Sequence, residues 1–299
     1  MKKYFTIIGN CQARSLSEFL LSNNDFIKIY QYIEINDIFR MNEDELNNLY
    51  LDVLPKLDLI IIQPISENYR NNYRYSTISI LNNVHTNCYK ILFPSLYFDF
   101  YHPFICYIYD KNNPSWKLGE PFDYHDKNII NLFINNYNED NILNEYQKIL
   151  YMDNIYDDNY FIDKLNTNIN NLIEREENYK NFCTLDTKII KSSLYILNNY
   201  KKNLLFYTNN HPTKYLFHYI SNKILSLLNI SIFEYPDDID PLKAFIMPVY
   251  KCLQKQVDFN IDYYLHFRHY HIILEDKDII QKYIDSYKNI NIEILKNNI

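Results

Sequence analysis

Glycine occurs at only two of the 299 positions, Gly9 and Gly119. Turns that cradle phosphates, G-x-G-x-x-G or G-x-x-x-x-G-K, need several glycines, because Cβ atoms would keep the backbone away from the phosphate oxygens. Glycine-loop dinucleotide binding and P-loop chemistry are therefore excluded. The scarcity also gives weight to Gly9, which stops the β-rich run Tyr4 to Ile8 and precedes Leu16, Phe19 and Leu20 at helical spacing. This stretch reads as strand, tight turn, helix.

The same alternation continues. Phe26 to Tyr32 is a second strand candidate, Asp44 to Leu54 a helix, and Leu57 to Ile62 a nearly continuous apolar strand of the kind buried on both faces. A helix is expected from Tyr73 to Leu81 and a strand from Tyr89 to Phe93, closed by Pro94. Strands alternating with helices predict an α/β fold: a three-layer parallel sheet, flavodoxin-like, with helices on both faces and active groups at the carboxyl ends of the strands. Residues 112–200 read as a mainly helical insertion punctuated by Pro114, Trp116, Gly119 and Pro121. The α/β pattern then returns with a strand at Leu204 to Tyr207, a loop to Pro212 and an amphipathic helix from Thr213 to Leu228. A catalytic domain over 1–235, carrying that insertion, and an extension over 236–299 packed on it are expected; the extension reads as a strand from Tyr263 to Leu274, then a short helix and strand.

Hydrophobic residues make up 47% of the chain and charged ones 22%, enough for a large core. The net charge of -7 gives no basic field for gripping nucleic acid. No apolar run reaches the length of a membrane span, and no signal-peptide core is visible, so the chain reads as soluble and cytoplasmic, the host cytoplasm if it is viral. The five cysteines lack any C-x-x-C pair, which argues against a thiolate zinc site or a disulfide framework. His266, Arg268, His269 and His271 fall within a strand-like run, but His269 and His271 share a face without a nearby carboxylate partner, so no metal is expected.

Cys11 stands apart. It follows the first strand within Gly9-Asn10-Cys11-Gln12 and opens a helix, where free backbone N–H groups and the helix dipole lower a thiol pKa and face any oxyanion formed on an attacked carbonyl. His211, expected after a strand, held by Pro212 and opening a helix, is a candidate base at the same sheet edge. Asn10, Gln12 and Gln63 are neutral amides placed to donate to an oxyanion or substrate, or else to satisfy loop backbone. Tyr97, in the aromatic-rich run Pro94 to Pro103, suits stacking on a sugar or adenine, or packing.

Four segments, TIIGNCQARSLSEFL, LDLIIIQPISENYR, KILFPSLYFDFYHP and NNHPTKYLFHYISNKIL, together resemble the WcbI-type polysaccharide biosynthesis acetyltransferases. The resemblance implies a fold related to the SGNH hydrolases, with coenzyme A or acetyl-CoA as acyl donor and a nucleotide sugar or glycan as acceptor. It puts Cys11 where those hydrolases carry a nucleophilic serine and His211 where they carry their base. Thr208 stands where their acid usually does, so no third triad member is evident. Arg14 and Lys214 are the cations nearest these motifs, candidates for the coenzyme A phosphates. The expected activity is acetyl transfer to a sugar amino or hydroxyl group. The alternatives are a cysteine esterase or deacetylase using the same dyad, and a non-catalytic glycan-binding domain.

Overall fold

The computed structural model describes residues 2–110, 113–118, 123–135, 138–154, 156–232, 234, 236, 238–269 and 272–299. In chain order the elements are β1 (Lys3–Ile8), α1 (Cys11–Leu21), α2 (Asn24–Ile29), β2 (Tyr30–Tyr32), α3 (Glu43–Asn48), β3 (Leu57–Ile62), α4 (Thr77–Asn82), β4 (Tyr89–Leu92), β5 (Ile105–Cys106), β6 (Ile108–Asp110), β7 (Asn113–Leu118) and β8 (His125–Asp126). They continue with α5 (Lys127–Ile134), α6 (Glu139–Tyr151), α7 (Asp158–Asn178), β9 (Lys188–Ile189), α8 (Ser193–Asn199), α9 (Lys214–Leu227), β10 (Arg268–His269), β11 (Ile272–Ile273), α10 (Asp276–Tyr287) and α11 (Ile292–Lys296).

These elements divide between two compact units. The first comprises Met1–Tyr97, Ile169–Asn199 and His211–Leu242; the second comprises Phe98–Asn168, Tyr200–Asn210 and Lys243–Ile299. The boundary passes through α7.

In the first unit a five-stranded sheet runs β2-β1-β3-β4-β9, every pair parallel. Alternate residues serve opposite faces, as the pleat requires. Ile8, Ile60 and Ile62 join Leu46, Leu54, Ile80 and Leu81 in one buried cluster, while Phe5 meets Phe26 of α2 edge-on at 4.9 Å between ring centroids. Helices thus cover both faces, giving the three-layer α/β architecture. The strand order reverses between β1 and β3. In such sheets that switch point opens a crevice at the carboxyl edge.

The second unit has no large sheet among its described residues. It combines two-stranded ribbons, β5–β8, β6–β7 and β10–β11, with helices α5, α6, α10 and α11. Its core is rich in tyrosine. Tyr101, Tyr146, Tyr283 and Tyr287 are fully buried, and their hydroxyls are used: Tyr101 donates to Tyr200 O at 2.7 Å and Tyr283 to Tyr124 O at 2.7 Å. Tyr250 donates to the buried Asp126 carboxylate at 2.6 Å.

Several sequence expectations need correction. Leu204 to Tyr207 is buried but is no sheet strand; its backbone is used by loops, Tyr207 O accepting from Met247 N at 3.1 Å. The fifth sheet strand is instead β9, inside the stretch read as helical, and β7 lies there too. Phe26 to Tyr32 divides into α2 and β2, because Asn23 caps a helix by accepting from the Asp25 and Phe26 amides, each at 2.9 Å. The described residues of Tyr263 to Leu274 form a 3-10 turn and the antiparallel β10–β11 pair, and the chain then continues into two helices rather than a helix and a strand. Asp44 to Leu54 is helical throughout but passes from α3 into a π turn at Leu49–Val53. Gly119, Pro121 and His271 lie outside the described residues.

Candidate active site

The β1–α1 turn is built on a glutamine. Gln63, at the end of β3, lies against Gly9, and a Cβ added to Gly9 would stand 2.9 Å from Gln63 Cδ and 3.0 Å from its Cγ. A side chain at Gly9 would displace the Gln63 carboxamide from its hydrogen bonds. The Asn10 amide donates to Gln63 Oε1 at 2.9 Å, and Gln63 Nε2 donates to Gln12 Oε1 at 2.9 Å and to Pro94 O at 3.3 Å. Gln12 in turn clamps Leu96, giving Nε2–H to Leu96 O at 2.8 Å and taking the Leu96 amide on Oε1 at 3.0 Å. Both glutamines are buried. Both amide protons of Gln63 are thus committed, so Gln63 and Gln12 tie three strand-end loops together rather than presenting donors to a substrate. Asn10 is the N-cap of α1, its side chain accepting from the Gln12 amide at 3.0 Å.

Cys11 is the first residue of α1 and half-buried. Its helix position was expected to lower the thiol pKa. Instead burial pushes the thiol up, aided by the negative charge of Asp37, and these outweigh the Gln12 and Cys11 amides and the Arg14 guanidinium, which pull the other way. Asp37 had no sequence signal. It is buried in the loop after β2 and forms an ion pair with Arg14, whose own side chain is half exposed. The adjacent Ile38 amide donates to Gly9 O at 2.9 Å, fixing this loop to the turn. Arg14 is therefore already engaged by a carboxylate.

His211 belongs to the same unit but is not launched by a sheet strand, contrary to expectation. Its position comes from α9, which starts three residues later and packs on α1 through a stacked Phe19–Phe217 pair at 5.3 Å. The helix that begins with Cys11 and the helix that follows His211 are thus partners. Lys214, first in α9, is half-buried with its Nζ 5.9 Å from the Tyr215 ring. Thr208 falls in the other unit, where its hydroxyl donates to Asn210 Oδ1 at 3.2 Å.

A cleft of about 300 Å³ opens at the switch point, its lining including Gly9, Asn10, Gln63, Phe39, Ser66 and Tyr69. Phe39 is 46% exposed. A second cleft of about 370 Å³ shares Pro64, Ser66 and Ser95 with the first. Tyr97 lies under the Arg175 guanidinium at 5.6 Å from its ring centroid. Phe39, Tyr69 and Ser66 escaped sequence reading because loop positions carry no periodicity. Among the described residues no group of three His, Cys, Asp or Glu side chains could hold a metal ion, and no helix is long and apolar enough to cross a membrane.

A solved structure of WcbI, described as a novel polysaccharide biosynthesis enzyme and in the native form without a disulfide bond between coenzyme A and one of its cysteines, aligns with 99% of this chain and 93% of its own at a TM-score of 0.82. The identity is 20%, so the likeness is one of fold. No curated protein matches the chain. Residues 4–232 match the family described as polysaccharide biosynthesis enzyme WcbI, a span holding the Gly9–Cys11 turn, the switch-point cleft and His211, and the chain belongs to that family.

Proposed function

We propose that the protein is an acyl-CoA-dependent acetyltransferase that modifies an amino or hydroxyl group of a nucleotide sugar or glycan intermediate in the cytoplasm. The observation that carries this reading is Cys11 on the first turn of α1, beside the cleft where β1 and β3 diverge. Membership of a polysaccharide biosynthesis family supports a sugar acceptor. The coenzyme A named with the WcbI structure supports the donor.

Two routes use these residues. In the direct route His211 takes the acceptor proton as the acceptor oxygen or nitrogen attacks the acetyl carbonyl, the carbon–sulfur bond of acetyl-CoA breaks, and the coenzyme A thiolate leaves and is protonated. In the covalent route the Cys11 sulfur attacks first, His211 taking its proton and passing it to the departing thiolate; the acceptor then attacks the acetyl-Cys11 thioester and its proton returns to Cys11 through His211. The raised thiol pKa means that Cys11 rests protonated, so the covalent route depends on that base. In either route amides of the first turn of α1 would face the developing oxyanion. The amide chain through Asn10, Gln12 and Gln63 supports this role by fixing the turn. Lys214 and Arg14, the latter in an ion pair with Asp37, are the candidates for a donor phosphate.

The test is turnover, with acetyl-CoA, a panel of amino sugars and nucleotide sugars, and release of free thiol as the readout, and with Cys11→Ala and His211→Ala alongside. Intact mass after acetyl-CoA alone separates the routes, because only the covalent one adds an acetyl group that Cys11→Ala abolishes. Acetate release from acetylated sugars without coenzyme A would support the esterase instead.

A further inference from the structure

The second cleft has a composition different from the first. Its lining holds the half-buried Phe182, an apolar face of the kind on which a pyranose ring lies, with Ser66, Ser95 and Asn178 to meet hydroxyls, and one cation, Arg175; Tyr179, also in the lining, is buried. Because Pro64, Ser66 and Ser95 line both clefts, the second continues directly from the one at the Gly9–Asn10 turn.

Arg175 is set up as a charge without a counter-charge. Its guanidinium lies over Tyr97, and among the described residues no carboxylate pairs with it. Of the two acids that flank it in sequence, Glu174 is exposed and forms no ion pair with it, and Glu176 is buried and engaged elsewhere, capping α8 by accepting from the Ser193 amide at 2.8 Å and the Ser192 hydroxyl at 3.2 Å. In a chain with a net charge of -7, an exposed cation stacked on an aromatic ring and lining a cleft suits a ligand anion, since arginine's planar fork binds a carboxylate or phosphate through two hydrogen bonds.

We infer that this second cleft is the acceptor subsite and that it selects a sugar bearing a carboxylate or phosphate, whose anionic group Arg175 reads while Phe182 supports the ring. The inference rests on the acyl-transfer reading for its word "acceptor"; the recognition of an anionic sugar does not.

The experiment is calorimetric titration of the full chain with glucuronic acid and glucose 6-phosphate, with glucose, acetate and inorganic phosphate as controls, and with coenzyme A as a separate arm. Arg175 is exposed, so Arg175→Gln should fold, and its melting temperature checks that. At least one anionic sugar should bind more tightly than glucose or the bare anions. Arg175→Gln should weaken that binding roughly tenfold to a hundredfold, with Phe182→Ala weakening both the anionic sugars and glucose, and coenzyme A affinity unchanged. The inference is overturned if neither anionic sugar binds the wild type, if glucose or the bare anions bind as well, or if Arg175→Gln leaves sugar binding intact. A loss of coenzyme A affinity in Arg175→Gln would assign the cleft to the donor and overturn the inference while sparing the transferase. No coenzyme A binding to the wild type, with anionic-sugar binding kept, would remove the transferase and leave the subsite.

Discussion

The side chain of Gln63 fills the space that any side chain at Gly9 would need. The turn that presents Cys11 is thus shaped by contact with the end of a neighbouring strand. Gly9→Ala should cost about 1 to 3 kcal/mol, the usual range for overpacking. Gln63→Ala should cost stability by itself, but the double variant should lose less than the sum, because removing the glutamine also removes the clash. Denaturant unfolding of the four proteins checks this; strict additivity would contradict the packing described here.

Asp37 and Arg14 act on the Cys11 thiol in opposite directions. Asp37→Asn removes a negative charge and leaves Arg14 unopposed, so the thiol pKa should fall and alkylation of Cys11 by iodoacetamide at neutral pH should quicken. Arg14→Gln should slow it. Peptide mass spectrometry reads Cys11 separately from the other four cysteines, and the pH profile of each rate gives the shift directly.

Two buried groups of the second unit should oppose one another in the pH dependence of stability. Burial raises the Asp126 carboxyl from 3.8 to about 6, even though Tyr250, Tyr146 and the Asn128 amide donate to it. Between those values the folded chain holds a proton that the unfolded chain has lost, so this group adds stability as the pH falls through 6. Burial lowers His102 from 6.5 to about 4, against the pull of the Phe206 and Pro248 carbonyls, so it removes stability over nearly the same interval as the pH falls. Relative to the wild type, the melting temperature of His102→Asn should climb as the pH is lowered from 6.5 to 4. That of Asp126→Asn should sink from 6 to 4. Matching slopes for the two variants would contradict the assignment.

Periodicity made β1, α1, β3, β4 and α9 legible, because each has a clear apolar face or run, and it placed Cys11 at a strand–helix turn. What it missed has identifiable causes. β9 is two residues long, too short to show a period. Leu204 to Tyr207 has the apolar content of a strand, but burial alone does not supply a neighbour in the sheet. The Asn23 cap decided α2, where side-chain content alone suggested a strand. At the site, a helix N-terminus suggested a lowered thiol pKa, whereas burial and Asp37, brought from a loop by chain folding, reverse the sign. Arg14 was legible as a cation but not as one already paired.

Acyl-CoA dependence is tested most directly by calorimetric titration of the purified protein with coenzyme A and with acetyl-CoA, repeated on Cys11→Ala and His211→Ala. The expected result is saturable binding of both ligands to the wild type, a melting temperature that rises with ligand concentration, and retained binding in His211→Ala, because the role proposed for His211 is to move a proton. The absence of both heat and thermal shift at millimolar ligand would contradict the acyl-CoA reading outright.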